Sequence, residues 1–488
     1  MYRLSKSQYL RGLQCQKSLW LYKHKPEERE EPDRFQQAVF DTGTDVGILA
    51  RSLFPGGELI EFSYKKIKEN IEKTRTLIDS GVKTIYEASF IYDDVLVMVD
   101  ILHKLEKGWG IYEVKSSTGV KEVNINDAAI QYYVLKGSGL DISGISIVHL
   151  NNQYIRSGDL DLSQLFVVEN VTELAIYRQN QIKSQLQEFQ HVLNEDEPGI
   201  DIGSHCSTPY PCDFNSYCWK HIPENSVFDL GGLRSDKKFE YYSQGIIRFE
   251  DITDLETVSE KHKIQITAEL HDTEFVNKKN IQEFLDQLKV PIGFMDFETF
   301  QEAVPSFDGQ RPYQNIPFQF SFDIVENGKT KHEEYLGKSE EDPRDGFIEK
   351  LIRYSAKCTS IVVYNKTFEI NILRGLTAMF PGHEQAINEI IDKIVDLMVI
   401  FRKRDYYSKH MKGGYSIKNV LPALIPEQSY SNLGISDGMM AMHEYIRLKT
   451  LKDEREKEQI MRNLKEYCAL DTEAMIKIVN KLEDITKD

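Results

Sequence analysis

Residues 95–115, VLVMVDILHKLEKGWGIYEVK, contain the pattern that is most informative about the architecture of the first part of the chain. An apolar run that ends in Asp100 predicts one β-strand, a Lys-Gly pair predicts a turn, and the text after it predicts a second strand. Because side chains alternate along a strand, we expect Glu113 and Lys115 to point to one face. Two carboxylates on adjacent strands with a lysine beside them can hold a divalent cation and support phosphodiester hydrolysis.

The sequence on either side predicts an α/β domain. The expected elements are a helix over 33–53, strands over Thr84–Ile91, Val95–Leu102 and Trp109–Ser116, a helix over Asn126–Lys136, a strand over Ile145–Leu150 and a long helix over 164–194. The core order is therefore helix, three strands, helix, strand.

This order, with Asp100 and the Glu113-Val114-Lys115 tripeptide, resembles the PD-(D/E)xK nucleases and, within them, the RecB-like branch. The resemblance implies that Glu87 is a further metal-binding carboxylate and that the cofactor is Mg²⁺ or Mn²⁺. It also implies that Gln131, on the following helix, contacts a phosphate or the lysine. RecB-like nucleases usually carry a histidine after a glycine in the first helix, whereas this chain reads GTDVG and has Gly47 there.

Four of the six cysteines form a one-plus-three pattern: Cys15, Cys206, Cys212 and Cys218. Four thiolates can bind zinc or an iron–sulfur cluster, and free thiols are the third alternative. Structural zinc sites favour close Cys pairs, and these spacings are wider. The pattern resembles RecB-like nucleases, CRISPR-associated ones included, that hold a [4Fe–4S] cluster, and it implies a structural cluster here. That family commonly has two residues in the first gap of the triplet, and this chain has five.

A second α/β pattern begins at residue 290. The expected elements are strands over Ile292–Glu298, Phe318–Val325 and His332–Leu336, a helix over Pro343–Lys357, a buried strand over Ser360–Tyr364 and helices thereafter, the last over Asp453–Leu482.

This second pattern carries its own acidic residues. Asp296 and Glu298 are two apart on a strand, and Tyr467 and Asp471 are four apart on a helix, so each pair is expected to share a face. With Glu369 between them, the order resembles the DEDD exonucleases of the RNase H-like superfamily, in the DnaQ-like branch with a catalytic tyrosine. The resemblance implies that the four acids hold two divalent ions, that Tyr467 positions water and that cleavage runs from 3′ to 5′. The family usually has aspartate where this chain has Glu369.

The net charge of −17 argues against non-specific coating of nucleic acid, so a nuclease needs a local basic track. One candidate track lies between the middle and last acidic motifs and comprises Arg402, Lys403, Arg404, Lys409, His410 and Lys412. A second comprises Lys65, Lys66, Lys68, Lys73 and Arg75. A solvated surface is the alternative for both.

Three regions are expected: a nuclease domain over 1–222, a connector over 223–289 and an exonuclease domain over 290–488. A weak helix-hairpin-helix pattern surrounds Gly245, and a plain spacer is its alternative. The sequence contains neither a secretory signal nor a membrane-spanning run, so the cytoplasm is expected.

The pairing of the two domains resembles an uncharacterised bacterial nuclease family. The sequence thus favours a two-site nuclease that acts on single-stranded DNA or DNA ends in repair, end processing or defence against foreign DNA. Two alternatives stay open. One is an RNA 3′-end exonuclease, and the other is a nucleic-acid-binding scaffold with a decayed site, which Gly47 and Glu369 would favour.

Overall fold

The computed structural model describes residues 3–61, 63–430 and 433–487, with Tyr64 described by its backbone alone. The protein is a mixed α/β chain. It forms two compact units, the first made of Met1–His221 and Glu302–Tyr313, the second of Ile222–Gln301 and Gln314–Asp488. The segment 223–289, expected to be a connector, lies within the second unit. Among the described residues, no helix is both long and apolar enough to cross a membrane.

Seven strands in the described part of the first unit form one sheet. They are β1 (Leu4–Ser5), β2 (Glu58–Leu59), β3 (Thr84–Tyr92), β4 (Val95–Lys104), β5 (Trp109–Lys115), β6 (Ile142–Leu150) and β7 (Phe166–Asn170). Its helices are α1 (Lys6–Gln14), α2 (Gln16–His24), α3 (Arg34–Ala50), α4 (Ile67–Asp79), α5 (Glu122–Gly137), α6 (Leu162–Leu165), α7 (Thr172–Tyr177), α8 (Gln179–Asn194) and α9 (Asn215–Cys218).

Strands β4 and β5 pair over only part of their length. The sheet order is β2-β3-β4-β5-β6-β7, and the β4–β5 ladder covers Ile101 to Lys104 of β4. At the other end of β4, β1 pairs with Val95 and Leu96. Asp100 was expected to close its strand, but β4 continues to Lys104 because its last residues pair with both β3 and β5. Asp100 therefore lies at the point where β5 diverges from β4.

The single long helix expected over 164–194 is wrong. Strand β7 and two helices, α7 and α8, occupy this region after the short helix α6. The sequence FVVEN pairs with the end of β6, and Phe166 at its start is buried. β-Branched residues on a pleated, half-buried surface favour a strand, and pairing with β6 overrides the local helical pattern.

The second unit has a five-stranded sheet and a two-stranded one in its described part. Its strands are β8 (Phe275–Val276), β9 (Ile292–Phe300), β10 (Ile316–Glu326), β11 (Lys329–Leu336), β12 (Ser360–Val363), β13 (Ile394–Asp396) and β14 (Tyr406–Tyr407). Its helices are α10 (Ser235–Ser243), α11 (Glu260–His271), α12 (Lys278–Leu285), α13 (Arg344–Ser355), α14 (Lys366–Met379), α15 (Glu384–Asp392), α16 (Met398–Lys403), α17 (Ile417–Leu424), α18 (Gly438–Leu448) and α19 (Glu454–Lys487).

The larger sheet has the order β11-β10-β9-β12-β13, so β9 is its central strand. Strands β9, β10 and β11 are antiparallel, whereas β12 and β13 run parallel to β9. Phenylalanines that alternate along β9 and β10, among them Phe297, Phe320 and Phe322, form the core on one face with α13 and α14. The other face of β9 is thereby left to Asp296 and Glu298.

Candidate metal centres

The second unit brings three acidic residues together at the centre of its sheet. Asp296 and Glu298 project from β9, and Asp471 comes from α19. One carboxylate oxygen of each lies within 4.8 Å of the others, which makes this the one metal-compatible group of three or more ligands among the described residues. Oxygen-only ligands suit Mg²⁺ or Mn²⁺.

Helix α19 is fixed on the sheet by buried polar contacts rather than by apolar packing alone. The Gln319 side-chain amide donates to the Leu464 carbonyl at 2.8 Å. The Thr472 hydroxyl lies 2.7 Å from the Ser321 hydroxyl and donates to Asp323 at 2.6 Å. Thr472 directly follows Asp471, so these contacts set the position of the third ligand.

The three carboxyl groups are held in an environment that opposes their ionisation. Burial and the neighbouring Asp471 and Glu298 carboxylates raise the pKa of Asp296 well above its ordinary value. Burial and Asp471 raise the pKa of Glu298 to about 8, and burial raises that of Asp471 to about 6. A divalent cation would remove this penalty, because it compensates the charge that burial disfavours.

Glu369 lies in the first turn of α14 and is almost completely buried. Its Oε2 atom has no hydrogen-bond partner among the described residues. Burial and the nearby Asp396 raise the pKa of Glu369 to about 8, and Glu369 in turn raises that of Asp296. An unpartnered buried carboxylate oxygen is costly, so the residues here fit a cation. Sequence reasoning missed Asp396, although its place at the end of the strand IVD was a usable signal.

Two tyrosines and a lysine complete this site. The Tyr430 hydroxyl donates to Asp471 at 2.6 Å, and its ring lies 6.1 Å from the ring of Tyr467, centroid to centroid. The Lys418 ammonium lies 5.6 Å from the Tyr430 ring centroid and 5.3 Å from that of Tyr467, and it donates to the Ser436 carbonyl. Tyr467 was expected from the sequence, whereas Tyr430 and Lys418 were not, because they lie outside the acidic motifs.

The raised pKa of Glu369 predicts how the stability of the metal-free protein depends on pH. Between the ordinary value of 4.5 and about 8, the folded state keeps a proton that the unfolded state releases. Stability is therefore lost as pH rises through this window. Because glutamine carries no charge, Glu369→Gln should flatten the decline and raise the melting temperature at pH 8.5 by about 2–4 °C in the presence of a chelator.

The matched control is Glu384→Gln, at an exposed position on α15. Thermal melts at several pH values compare the two variants. Identical pH slopes in wild type and Glu369→Gln would contradict the assigned pKa.

In the first unit, two lysines bind Glu113, which was predicted from the sequence, and Asp127, which was not. The Lys115 ammonium donates to Glu113 and to Asp127, each at 2.6 Å. The Lys6 ammonium lies 2.7 Å from Glu113 and 3.3 Å from Asp127. Asp100 accepts the Val114 amide at 2.7 Å. Sequence reasoning missed Asp127 and Lys6, although Asp127 stands one helical turn before Gln131.

The carboxyl groups of this site differ in the direction in which their pKa is shifted. Burial, with Asp100 and Asp127, raises the pKa of Glu113 to about 7. Asp127 behaves oppositely, since Lys115 and Lys6 lower its pKa against the effect of burial. The two ammonium groups thus stabilise the charged form of Asp127 more than that of Glu113.

Glu87 and Gln131 both approach the same group of charges. Glu87 has a left-handed φ of 59° within β3 and pairs with Arg51 at 2.9 Å. The Gln131 amide nitrogen donates to Glu113 at 2.8 Å and to Asp127 at 2.9 Å. The Gln131 Oε1 atom is buried and has no partner among the described residues. Oxygen atoms of this kind bind hard cations, but among the described residues no three carboxylates of this site lie within 4.8 Å of one another as those of the second unit do.

The four cysteines of the one-plus-three pattern line one small cavity of the first unit: Cys15, Cys206, Cys212 and Cys218. Burial raises the pKa of Cys218 to about 11, and the other three thiols add to this effect. Among the described residues, no three thiols lie within 4.8 Å of one another. Tetrahedral Zn–S bonds of about 2.3 Å place sulfurs only ~3.8 Å apart, so these thiols are not spaced to bind one zinc ion together.

The basic track predicted around residues 402–412 is divided in the structure. Arg404 is buried, has a left-handed φ of 64° and donates to the Gly413 carbonyl at 2.7 Å, so its assignment to an exposed track is wrong. Lys409 pairs with Asp272, and Lys412 is exposed. Arg402 and Lys403 instead line a groove of about 680 Å³ in the second unit.

Comparison with known proteins places the second unit in context. Residues 293–416 match the model of a domain of unknown function, DUF2779. The chain is 25% identical over 413 residues to the uncharacterized protein MG366 homolog of Mycoplasma pneumoniae, covering 73% of this chain and 61% of the relative. It is 23% identical over 410 residues to the uncharacterized protein MG366 of Mycoplasma genitalium, with the same coverage of each chain. The chain thus spans about three fifths of the length of these relatives.

The family match covers β9 with Asp296 and Glu298, as well as Glu369 and Asp396. It ends before Tyr430 and α19. The domain description names no activity.

Proposed function

We propose that the protein is a metal-dependent nuclease whose second unit removes nucleotides from the 3′ end of a single strand. The observation that carries the proposal is the buried group Asp296, Glu298 and Asp471, with carboxylate oxygens within 4.8 Å and pKa values raised by burial. Three acids that are costly to ionise without a cation are suited to hold one.

Divalent ions bound at such carboxylates polarise a phosphoryl oxygen and make water a better nucleophile. Side chains of the protein orient the water, hold the metal-binding carboxylate and offset the charge on the phosphate. Tyr467, buried one helical turn before Asp471, orients the attacking water through its hydroxyl. Tyr430 holds Asp471 by its 2.6 Å hydrogen bond. Lys418 brings a positive charge to the two tyrosine rings, where it can offset the charge that develops on a phosphate.

The groove beside this site suits a nucleic-acid strand. Four cationic side chains line it: Lys366, Arg374, Arg402 and Lys403. Lys366 begins α14, and Glu369 lies in the same first turn. Asp396, whose charge raises the pKa of Glu369, also lines the groove, so the groove lies near Glu369. Glu283 and Asp405 line it too, and its cations can pair with phosphates of a strand.

The same proposal assigns a second nuclease site to the first unit. Asp100 and Glu113 are its candidate cation ligands, with Glu87 near them, and Lys115 is the residue that acts on the phosphate or water. Its order of elements, in which α3, β2 and α4 precede β3, β4, β5, α5 and β6, supports the RecB-like interpretation. We propose DNA ends or single-stranded DNA as the substrate, in repair, end processing or defence.

For the cysteine group, we propose a structural [4Fe–4S] cluster. Thiols that line one cavity, yet lie too far apart for one zinc ion, support a cluster. Protein purified without oxygen should contain about four irons and four sulfides per chain, and Cys15→Ser should lose both. Zinc in place of iron would overturn this part of the proposal.

The function is tested with 5′-labelled single strands of DNA and of RNA, in Mn²⁺ and in chelator. Stepwise shortening of DNA that a 3′-terminal block prevents is the expected result. Faster shortening of RNA would assign the RNA alternative, and binding without cleavage would assign the scaffold alternative.

A further inference from the structure

The gap between β4 and β5 is filled by the beginning of the chain. Strand β1 pairs with Val95 and Leu96 in β4, and β5 pairs with β4 only from Ile101 onward. Helix α1 starts immediately after β1, so its first residue, Lys6, enters the gap where Asp100 lies. The sheet register alone thus places a lysine at the N-terminal site.

Helix α1 is anchored at both ends. Ser5 caps it through a reciprocal hydrogen-bond pair with Gln8. Near its other end, the Arg11 guanidinium donates to Asp213 at 2.5 and 2.9 Å and to Ser18 at 2.8 Å. These contacts restrict the backbone that carries Lys6, so its position is set by the fold and not by a flexible terminus.

The Lys6 ammonium occupies oxygens that a cation would need. It lies 2.7 Å from Glu113 Oε1 and 3.3 Å from Asp127 Oδ1, while Lys115 lies 2.6 Å from that same Glu113 oxygen. The Lys6 side chain is 21% exposed, and those of Glu113 and Asp127 are 3% and 4% exposed. Three buried or half-buried groups in this arrangement interact strongly, because little water screens them.

We propose that Lys6 is a positioning residue that competes with a divalent cation for Glu113 and Asp127 and thereby sets the cation affinity of the N-terminal site. This inference rests on the part of the proposed function that gives this site a cation. A cation that binds Glu113 must displace the Lys6 ammonium, or it binds more weakly because that ammonium repels it. The cation site of the second unit differs, since Lys418 donates to the Ser436 carbonyl and not to a carboxylate.

The experiment measures Mn²⁺ binding by electron paramagnetic resonance, without nucleic acid, in a chain that carries Asp296→Ala and Asp471→Ala. These two changes remove the cation ligands of the second unit. In this background, Lys6→Met should tighten Mn²⁺ binding about tenfold, because a neutral side chain no longer repels the cation. Lys6→Arg keeps the charge and should stay within about twofold of the parent. The control Lys68→Met changes an exposed lysine on α4 and should have no effect.

A residue with a merely structural role would not tighten cation binding when removed. Unchanged or weaker Mn²⁺ affinity in Lys6→Met, or the absence of Mn²⁺ binding from the parent chain, overturns the proposal. If Lys6→Met does not fold, Lys6→Gln provides the neutral variant and is judged by the same tenfold criterion. Because no substrate is used, a wild-type protein that cleaves nothing would overturn the nuclease function while leaving this result to stand or fall separately.

Discussion

Asp296→Ala is expected to abolish degradation from the 3′ end, with a fall in rate on the order of 10³-fold. Asp296 interacts electrostatically with the other three acids of this site, because Asp471, Glu298 and Glu369 each raise its pKa. Replacing Asp296 therefore removes the carboxylate that interacts with Glu298 and Asp471 as well as with Glu369. The measurement is the initial rate of shortening of a 5′-labelled single strand in saturating Mn²⁺, with Lys115→Met in both proteins so that the first site does not contribute.

Tyr467→Phe is the graded comparison for this prediction. It removes a hydroxyl and keeps the buried ring next to Tyr430, so we expect a smaller loss, about 10–100-fold. The control Lys481→Ala changes an exposed position on α19 and should leave the rate unchanged. Retention of the wild-type rate by Asp296→Ala, in protein with a normal melting temperature, would show that these carboxylates are not the catalytic site.

Lys115→Met is expected to abolish the cleavage that remains in an Asp296→Ala background, with a fall of at least about 10²-fold. Lys115 contacts Glu113 and Asp127 at 2.6 Å, and it is the cation that the motif places two residues beyond the glutamate. Methionine preserves the length of the side chain but removes its charge. The measurement is cleavage of double-stranded and single-stranded DNA in Mg²⁺ and in Mn²⁺.

Lys183→Met serves as the control, because Lys183 is an exposed lysine on α8 of the same unit. Mn²⁺ binding to the N-terminal site should survive Lys115→Met, since no carboxylate is lost. Equal cleavage by the Lys115→Met variant and its parent would remove this site from the proposed function.

Much of the secondary structure could be predicted because the period of the apolar residues decided it locally. Strands β3, β4 and β5, and later β9, β10 and β11, lie where alternation and turn residues predicted them, and the structure lengthens most of them by one to three residues. Strand β7 could not be predicted. Its five residues follow a helix and precede two others, and pairing with β6 is the interaction that makes them a strand.

The residues of each site also fall into those that the sequence pattern predicts and those that the fold adds. The pairs Glu113 with Lys115 and Asp296 with Glu298 follow from the sequence pattern, because the members of each pair lie two apart on one strand. Asp471 was expected only from the resemblance, since it lies on α19, far along the chain from β9. The sequence also groups the four cysteines as one set, although it does not give the distances between their sulfur atoms. Short separations along a strand or helix fix geometry without knowledge of the fold.

The fold brings some distant residues into these groups and removes others that the sequence pattern had placed there. Lys6 reaches Glu113 across 107 positions because β1 fills the gap left by β5, and Tyr430 reaches Asp471 across 41. Arg404 leaves the basic track because a left-handed turn buries its guanidinium against the Gly413 carbonyl. Such contacts depend on the register of strands and the packing of helices, and these are set by burial of the whole core and not by any local pattern.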